Sequence, residues 1–202
     1  MSNSNHFLVR RVHSLLGLIP IGIFLLFHLT LNIIATTNPA RYAAVIKTMR
    51  DTPGIFIVEL IVIFLPILFH AIYGLIVVYG SGVNTLRYKY YRNWFYVLQR
   101  LTGLLTLIFI AYHVFALRFS GLSPVDTVQS LVAFVKTPFG LIFYVVGVLS
   151  AIFHFANGLW AFFITWGITI GPRSQKIATY FCSAVFIVLA VVGMTSLAHL
   201  VA

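Results

Sequence analysis

Five long apolar runs constrain this chain more than any other feature. Val12 to Ile34, Ile55 to Tyr79, Leu101 to Leu117, Phe139 to Ile164 and Ala178 to Val201 each lie in or near the range of about 17–25 residues that lets a helix cross the hydrocarbon layer of a membrane. Backbone amides in lipid must be paired within their own segment, so runs of this length are expected as helices. Charged residues make up only 8% of the chain and the mean hydropathy is +1.04, whereas soluble domains carry roughly 25% charged residues. The expectation is an all-α integral membrane protein, one domain over residues 1–202 with five transmembrane helices. Its 13 Lys and Arg against 3 acids lie beside the spans, which suits lipid headgroup contact and orientation and not nucleic-acid binding. The lone Cys182 excludes a disulfide framework and a Cys-x-x-Cys-His attachment motif. The polar start leads into Arg10, Arg11 and a long apolar run without a small-residue cleavage site, so a removable signal peptide is not expected.

Four histidines lie inside these runs, where an imidazole is costly without a partner. His70 is followed by Gly74-Leu75 and His154 by Gly158-Leu159, one motif used twice. His28 to His70 and His113 to His154 are separated by 42 and 41 residues, the spacing of a duplicated helix pair. Span five has no equivalent and reads as an addition to a four-helix unit. At about 1.5 Å of rise per residue, His28 and His113 fall at one depth and His70 and His154 at another, nearer the amino-terminal end. Two bis-histidine sites follow, and the bulky planar cofactor held in that way is haem. Four converging zinc ligands would share one depth instead of two. The expectation is therefore two non-covalent haems: an outer one on His28 and His113, an inner one on His70 and His154. Gly17 and Ser14 share the face of His28 at the inner level; a glycine there leaves room for a macrocycle or serves close helix packing.

Basic residues set the orientation. The amino terminus and the second and fourth connections carry eight, while the opposite side carries Arg41, Lys47, Arg50, Arg118 and Lys136. This favours a cytoplasmic amino terminus in the cell membrane. His13, Ser14, Trp94, Arg100, Arg173 and Lys176 then lie at the level of the inner haem propionates, though headgroup contact explains them equally well. Arg87 to Trp94 is a basic, aromatic connection suited to docking a partner. The Arg41 to Pro53 connection has helical spacing but surface polarity, and the Pro124 to Pro138 stretch reads as a loop. Glu59 is the one carboxylate inside a span. Without a cationic partner it suits proton exchange; the alternatives are snorkelling to headgroups or a bond to a neighbouring helix. His6 and His199 are not expected as ligands.

Arg-Arg-Val-His-Ser-Leu-Leu-Gly-Leu-Ile-Pro before His28, Phe-Leu-Pro-Ile-Leu-Phe-His70-Ala-Ile-Tyr-Gly, Arg-Asn-Trp-Phe-Tyr-Val-Leu-Gln-Arg before His113, and Phe-His154-Phe-Ala-Asn-Gly-Leu-Trp resemble the di-haem cytochrome b subunits of succinate dehydrogenase, the five-helix type of Gram-positive bacteria. The resemblance covers nearly the whole chain and matches four ligand positions one for one. It implies a membrane anchor for a flavoprotein subunit and an iron-sulfur subunit, passing electrons from succinate through two haems b to menaquinone, with Glu59 as the candidate for proton exchange with that quinone. Fumarate reductase anchors are closely similar. The chain has no flavin or dinucleotide motif and no cysteine cluster, so succinate chemistry is not expected on it. Competing readings are the cytochrome of a hydrogenase or formate dehydrogenase, separated by co-purifying subunits, and a proton-coupled transporter using histidines and Glu59, separated by the absence of haem bands.

Overall fold

A computed structural model describes residues 3–202 except 83, 84, 86 and 88, with the side chains of 3–6 and 124 also outside the description. All regular structure among the described residues is helical. Five helical segments are long and apolar enough to cross a membrane: Phe7–Thr37, Ile55–Tyr79, Tyr91–Arg118, Pro138–Thr165 and Pro172–Val201.

The first crossing is two helices, α1 (Asn3–Leu18) and α2 (Pro20–Thr37). Pro20 has no N–H and its ring collides with the carbonyl four residues back, so the helix kinks there. Hydrogen bonds from Ile19 N to the Leu15 carbonyl (2.8 Å) and from Ile23 N to the Ile19 carbonyl (3.2 Å) carry the chain through as one bent rod. The surface helix α3 (Pro39–Asp51) follows, capped by Asn38, whose side chain accepts from Arg41 N at 3.0 Å. It realises the helical spacing of the Arg41 to Pro53 connection. Gly54, at φ 74°, takes the left-handed turn that starts the second crossing. That crossing is α4 (Ile55–Glu59), a π-helical turn over Leu60–Phe64, and α5 (Leu65–Tyr79). Pro66 explains the π turn: widening the helix before it relieves its clash with the preceding turn.

The third crossing, α6 (Tyr91–Arg118), begins ten residues before the expected span, so Tyr91 to Trp94 are helix and not loop. The aromatic residues there suit the membrane–water boundary and continue the helix out of the apolar layer. Tyr88 of the expected loop lies outside the described residues. A second correction concerns the Pro124 to Pro138 loop, which contains α7 (Pro124–Val135). Ser123 caps it by accepting from Asp126 N at 3.2 Å, with Pro124 in the first turn. Val135 is fully buried, and the Phe134 carbonyl lies against Gly140, leaving no room for a Cβ there. The fourth crossing is α8 (Pro138–Thr165) and the fifth α9 (Pro172–Val201).

α8 packs against α6, α1 and α9; α5 packs against α1 and α6. The first four crossings therefore form a ring in which α2 faces α6, and α5 faces α8, across the centre. α9 adds outside this ring against α8 and α2. Phe109, Val135, Tyr144 and Leu197 form a buried cluster tying α6, α7, α8 and α9 together at the end away from the amino terminus. The many exposed apolar side chains, such as Ile57, Ile61, Val188 and Val191, are the surface a lipid-facing bundle requires.

Candidate functional site

The diagonals of the ring carry the histidines. His70 on α5 meets His154 on α8 with ring centroids 6.1 Å apart and planes at 90°. His28 on α2 meets His113 on α6 at 5.8 Å and 84°. Among the described residues no three or more His, Cys, Asp or Glu converge on a point, so the arrangement is two separate pairs. Two metal–imidazole bonds of about 2.0 Å, with each ring's radius added, place such centroids roughly 6 Å apart. The spacing fits a single iron between each pair.

Backbone hydrogen bonds prepare the pair nearer the amino terminus. His70 Nδ1 lies 3.0 Å from the His13 carbonyl, and His154 Nδ1 lies 3.0 Å from the Gln99 carbonyl. A carbonyl only accepts, so each Nδ1 directs a proton to it and each Nε2 keeps the lone pair with which imidazole binds metal; Gln99 Nε2, also 3.2 Å from His154 Nδ1, donates instead to the His154 carbonyl at 3.0 Å. Four residues beyond each carbonyl stands a glycine against the same ring. A Cβ on Gly103 would come within 2.9 Å of His154 Cε1, and one on Gly17 would enter the His70 ring, 2.8 Å from Nδ1. Thus His13-x-x-x-Gly17 on α1 and Gln99-x-x-x-Gly103 on α6 are equivalent devices in the two halves. Gly17 lies at the expected level, but the imidazole of His70 rests on it; the clearance is for the ligand ring. Gly74 and Gly158 do not face a ligand ring: their nearest neighbours are His13 Nε2 at 3.5 Å and Gln99 Nε2 at 3.4 Å.

Gln99 also donates from Nε2 to the His154 carbonyl (3.0 Å), and Asn157 Nδ2 donates to Gln99 Oε1 (2.8 Å). Gln99, Gly103 and Asn157 were not singled out as site residues from the sequence, although the recurrence of a polar residue four positions before glycine is visible there. The other pair is held differently. His113 Nδ1 is 3.4 Å from the Tyr144 hydroxyl, while Phe24 stacks beside His28 and Phe109 beside His113.

His13 stacks on His70 at 4.1 Å and 7°, and its buried Nε2 has no hydrogen-bond partner. That orphaned nitrogen, at the mouth of the inner pair, can receive an acidic oxygen of a bound group. Ser14, half-buried, is its neighbour on α1. Arg100 is engaged elsewhere: its Nε donates to Ser81 Oγ (2.7 Å), its Nη1 to the Tyr96 carbonyl (3.1 Å), and its guanidinium stacks on Tyr96. Trp94, Arg173 and Lys176 are exposed, and no described contact joins them to either pair. His199 is exposed and bonds the Thr195 carbonyl of its own helix; the side chain of His6 lies outside the described residues.

Glu59 does not stand alone. Arg118 donates to its Oε2 from Nη2 (2.8 Å) and Nε (3.2 Å). The expectation of a carboxylate without a cationic partner is overturned: the long Arg118 side chain at the end of α6 reaches the carboxylate on α4. The bond to a neighbouring helix is the alternative that the structure contains.

Fold and site together define an all-α membrane protein with two stacked pairs of facing imidazoles. Residues 83–193 match the succinate dehydrogenase/fumarate reductase transmembrane subunit family. The chain is also 43% identical, over 198 residues and 98% of both chains, to the succinate dehydrogenase cytochrome b558 subunit of Bacillus subtilis (strain 168). No solved structure is significantly similar to it. The chain belongs to the succinate dehydrogenase/fumarate reductase transmembrane subunit family and is a membrane subunit of that kind.

Proposed function

We propose that this subunit is a di-haem cytochrome b that anchors a flavoprotein and an iron-sulfur subunit to the cell membrane and conducts electrons from succinate oxidation to menaquinone. The observation that carries the reading is the pair of perpendicular imidazole couples at about one iron's separation, two on one level and two on another. His70 and His154 ligate the inner haem and His28 and His113 the outer. Non-covalent haem b supplies one-electron redox chemistry at each level. The residues of this chain do the rest. The carbonyls of His13 and Gln99 fix the inner imidazoles as Nδ1–H tautomers, Gly17 and Gly103 admit the rings, and His13 Nε2 with Ser14 receives a propionate. Trp94, Arg100, Arg173 and Lys176 belong to the same end: Arg100 braces α5 against α6 through Ser81, and Trp94 and Arg173 face outward with Arg87 and Lys89 as part of the docking surface. This end is cytoplasmic by the charge bias. At the far end the Glu59–Arg118 ion pair ties α4 to α6. Succinate oxidation itself resides on the partner subunits, and the same anchor serves fumarate reduction in the reverse direction.

The test is purification of the tagged subunit from the membrane. Flavoprotein and iron-sulfur subunits should co-purify, and succinate should reduce haem b in the preparation. Hydrogenase or formate dehydrogenase subunits in their place, or an absence of haem bands, would overturn the reading.

A further inference from the structure

Away from both histidine pairs, at the amino-terminal end of the bundle, a cavity of about 430 Å³ is lined by Tyr91, Arg92, Trp160, Gln175, Lys176 and Tyr180 among others. α6 and α9 each pack along α8 but not along one another, so their first turns leave a groove with Trp160 of α8 as its floor. The Arg92 guanidinium lies over the Trp160 ring at 3.5 Å and donates from Nη2 to Thr179 Oγ1. Trp160 Nε1 donates to the same hydroxyl at 3.1 Å, and that hydroxyl donates to the Gln175 carbonyl at 2.8 Å. Arg92 is thus locked in place, yet its buried Nε has no partner.

No carboxylate of this chain can balance it. Asp51 pairs with Lys47, Glu59 with Arg118, and Asp126 accepts from Ser123 at the start of α7, and these are the chain's only three acids. Lys176 adds a second cation, and the N-termini of two long helices add the positive ends of their dipoles. The rim is aromatic, with Tyr91 and Tyr180 exposed, and below it α9 presents the exposed apolar Ile177 and Phe181. A fixed guanidinium that no carboxylate of this chain neutralises, a lysine, aromatic side chains of the interface and apolar rails beneath form a receptor for an anion that carries hydrocarbon tails.

We propose that this groove binds the phosphate of an anionic phospholipid in the leaflet at the amino-terminal end, with the Arg92 guanidinium and Lys176 Nζ as donors. An acidic side chain of a partner subunit is disfavoured, because the groove lies between two membrane-spanning helices and continues into lipid-facing surface. The site is independent of the proposed haem ligation. It also separates Arg92 from the docking surface, since its side chain turns sideways onto α8.

The test is native mass spectrometry of the protein purified with its partner subunits, delipidated and then offered phosphatidylglycerol, phosphatidylcholine or inorganic phosphate. One phosphatidylglycerol should be retained per chain, with phosphatidylcholine several-fold weaker because its own cation offsets the phosphate. Arg92→Gln with Lys176→Gln should lower phosphatidylglycerol occupancy about tenfold or more, the loss expected when charge-assisted hydrogen bonds go. Arg10→Gln, at the same end, should not. Should the double variant fail to assemble, the wild-type unfolding midpoint decides: it should rise with phosphatidylglycerol and not with phosphate. Equal retention of both lipids, a rise with phosphate as large as with lipid, or loss of a partner subunit from the variant with lipid occupancy unchanged would overturn the proposal.

Discussion

An imidazole ligates through whichever nitrogen lacks the proton, so the bond at Nδ1 decides what His70 and His154 can do. Both donate to backbone carbonyls, which no side-chain substitution removes, and both rest on glycines. Gly103→Ala and Gly17→Ala should push the ligand ring off its position, costing about 1–3 kcal/mol as overpacking does and removing the inner haem while the outer haem persists. Gly74→Ala, whose Cβ would meet only an ordinary 3.5 Å contact with His13, should keep both. Haem content and the unfolding midpoint of the three variants check this, and a normal inner haem in Gly103→Ala would contradict the packing. The four histidines are legible in the sequence because each is a polar group set in an apolar run, and duplication pairs them. Gln99 is not legible in the same way, since a polar residue near a helix start looks like any interfacial residue until its carbonyl is found on His154. Glu59 misleads for a related reason: sequence places it within a span, but not within reach of Arg118 on another helix.

Proline accounts for most of the departures at the level of elements. Pro39, Pro124, Pro138 and Pro172 each occupy a first turn, where a missing N–H costs nothing and the fixed φ favours the helix. Read as breakers, Pro124 and Pro138 hide α7; read as starters after Ser123 and Thr137, they reveal it. Helix length fails for a different reason: polar and aromatic residues extend α6 and α9 beyond the apolar layer that hydropathy detects. Gly140→Ala would set a methyl against the Phe134 carbonyl, and backbone cannot swing aside as a side chain does. We expect a loss on the order of 1–3 kcal/mol and faster proteolysis within α7, checked by limited digestion; an unchanged cleavage rate would mean that α7 does not depend on this contact. Glu59→Gln severs the tie between α4 and α6. Both partners are partly exposed, at 21% and 48%, so the stability cost should stay within about 1 kcal/mol. A tie of this kind takes no part in the redox chemistry, so menaquinone reduction by the assembled complex should stay near the wild-type rate. A severalfold fall in quinone turnover with haem reduction by succinate intact would return Glu59 to the mechanism.

Across the whole molecule, two copies of a helix pair close into a ring, and α9 completes it along α8. The five crossings were visible in hydropathy. The diagonal placement of α2 opposite α6 and α5 opposite α8 was not, because periodicity gives each helix a face but not its neighbours. In the proposed orientation, with the amino terminus inside, an impermeant thiol reagent on intact cells should label Arg50→Cys and spare Lys89→Cys; the reverse pattern would invert the topology. The central claim is that two diagonal imidazole pairs hold two haems, and counting haem b per chain in purified His28→Ala, His113→Ala, His70→Ala and His154→Ala proteins tests it most directly. The wild type should carry two low-spin haems, with His28→Ala and His113→Ala losing one and the same spectral component and His70→Ala and His154→Ala losing the other. Two intact low-spin haems in all four variants would contradict it.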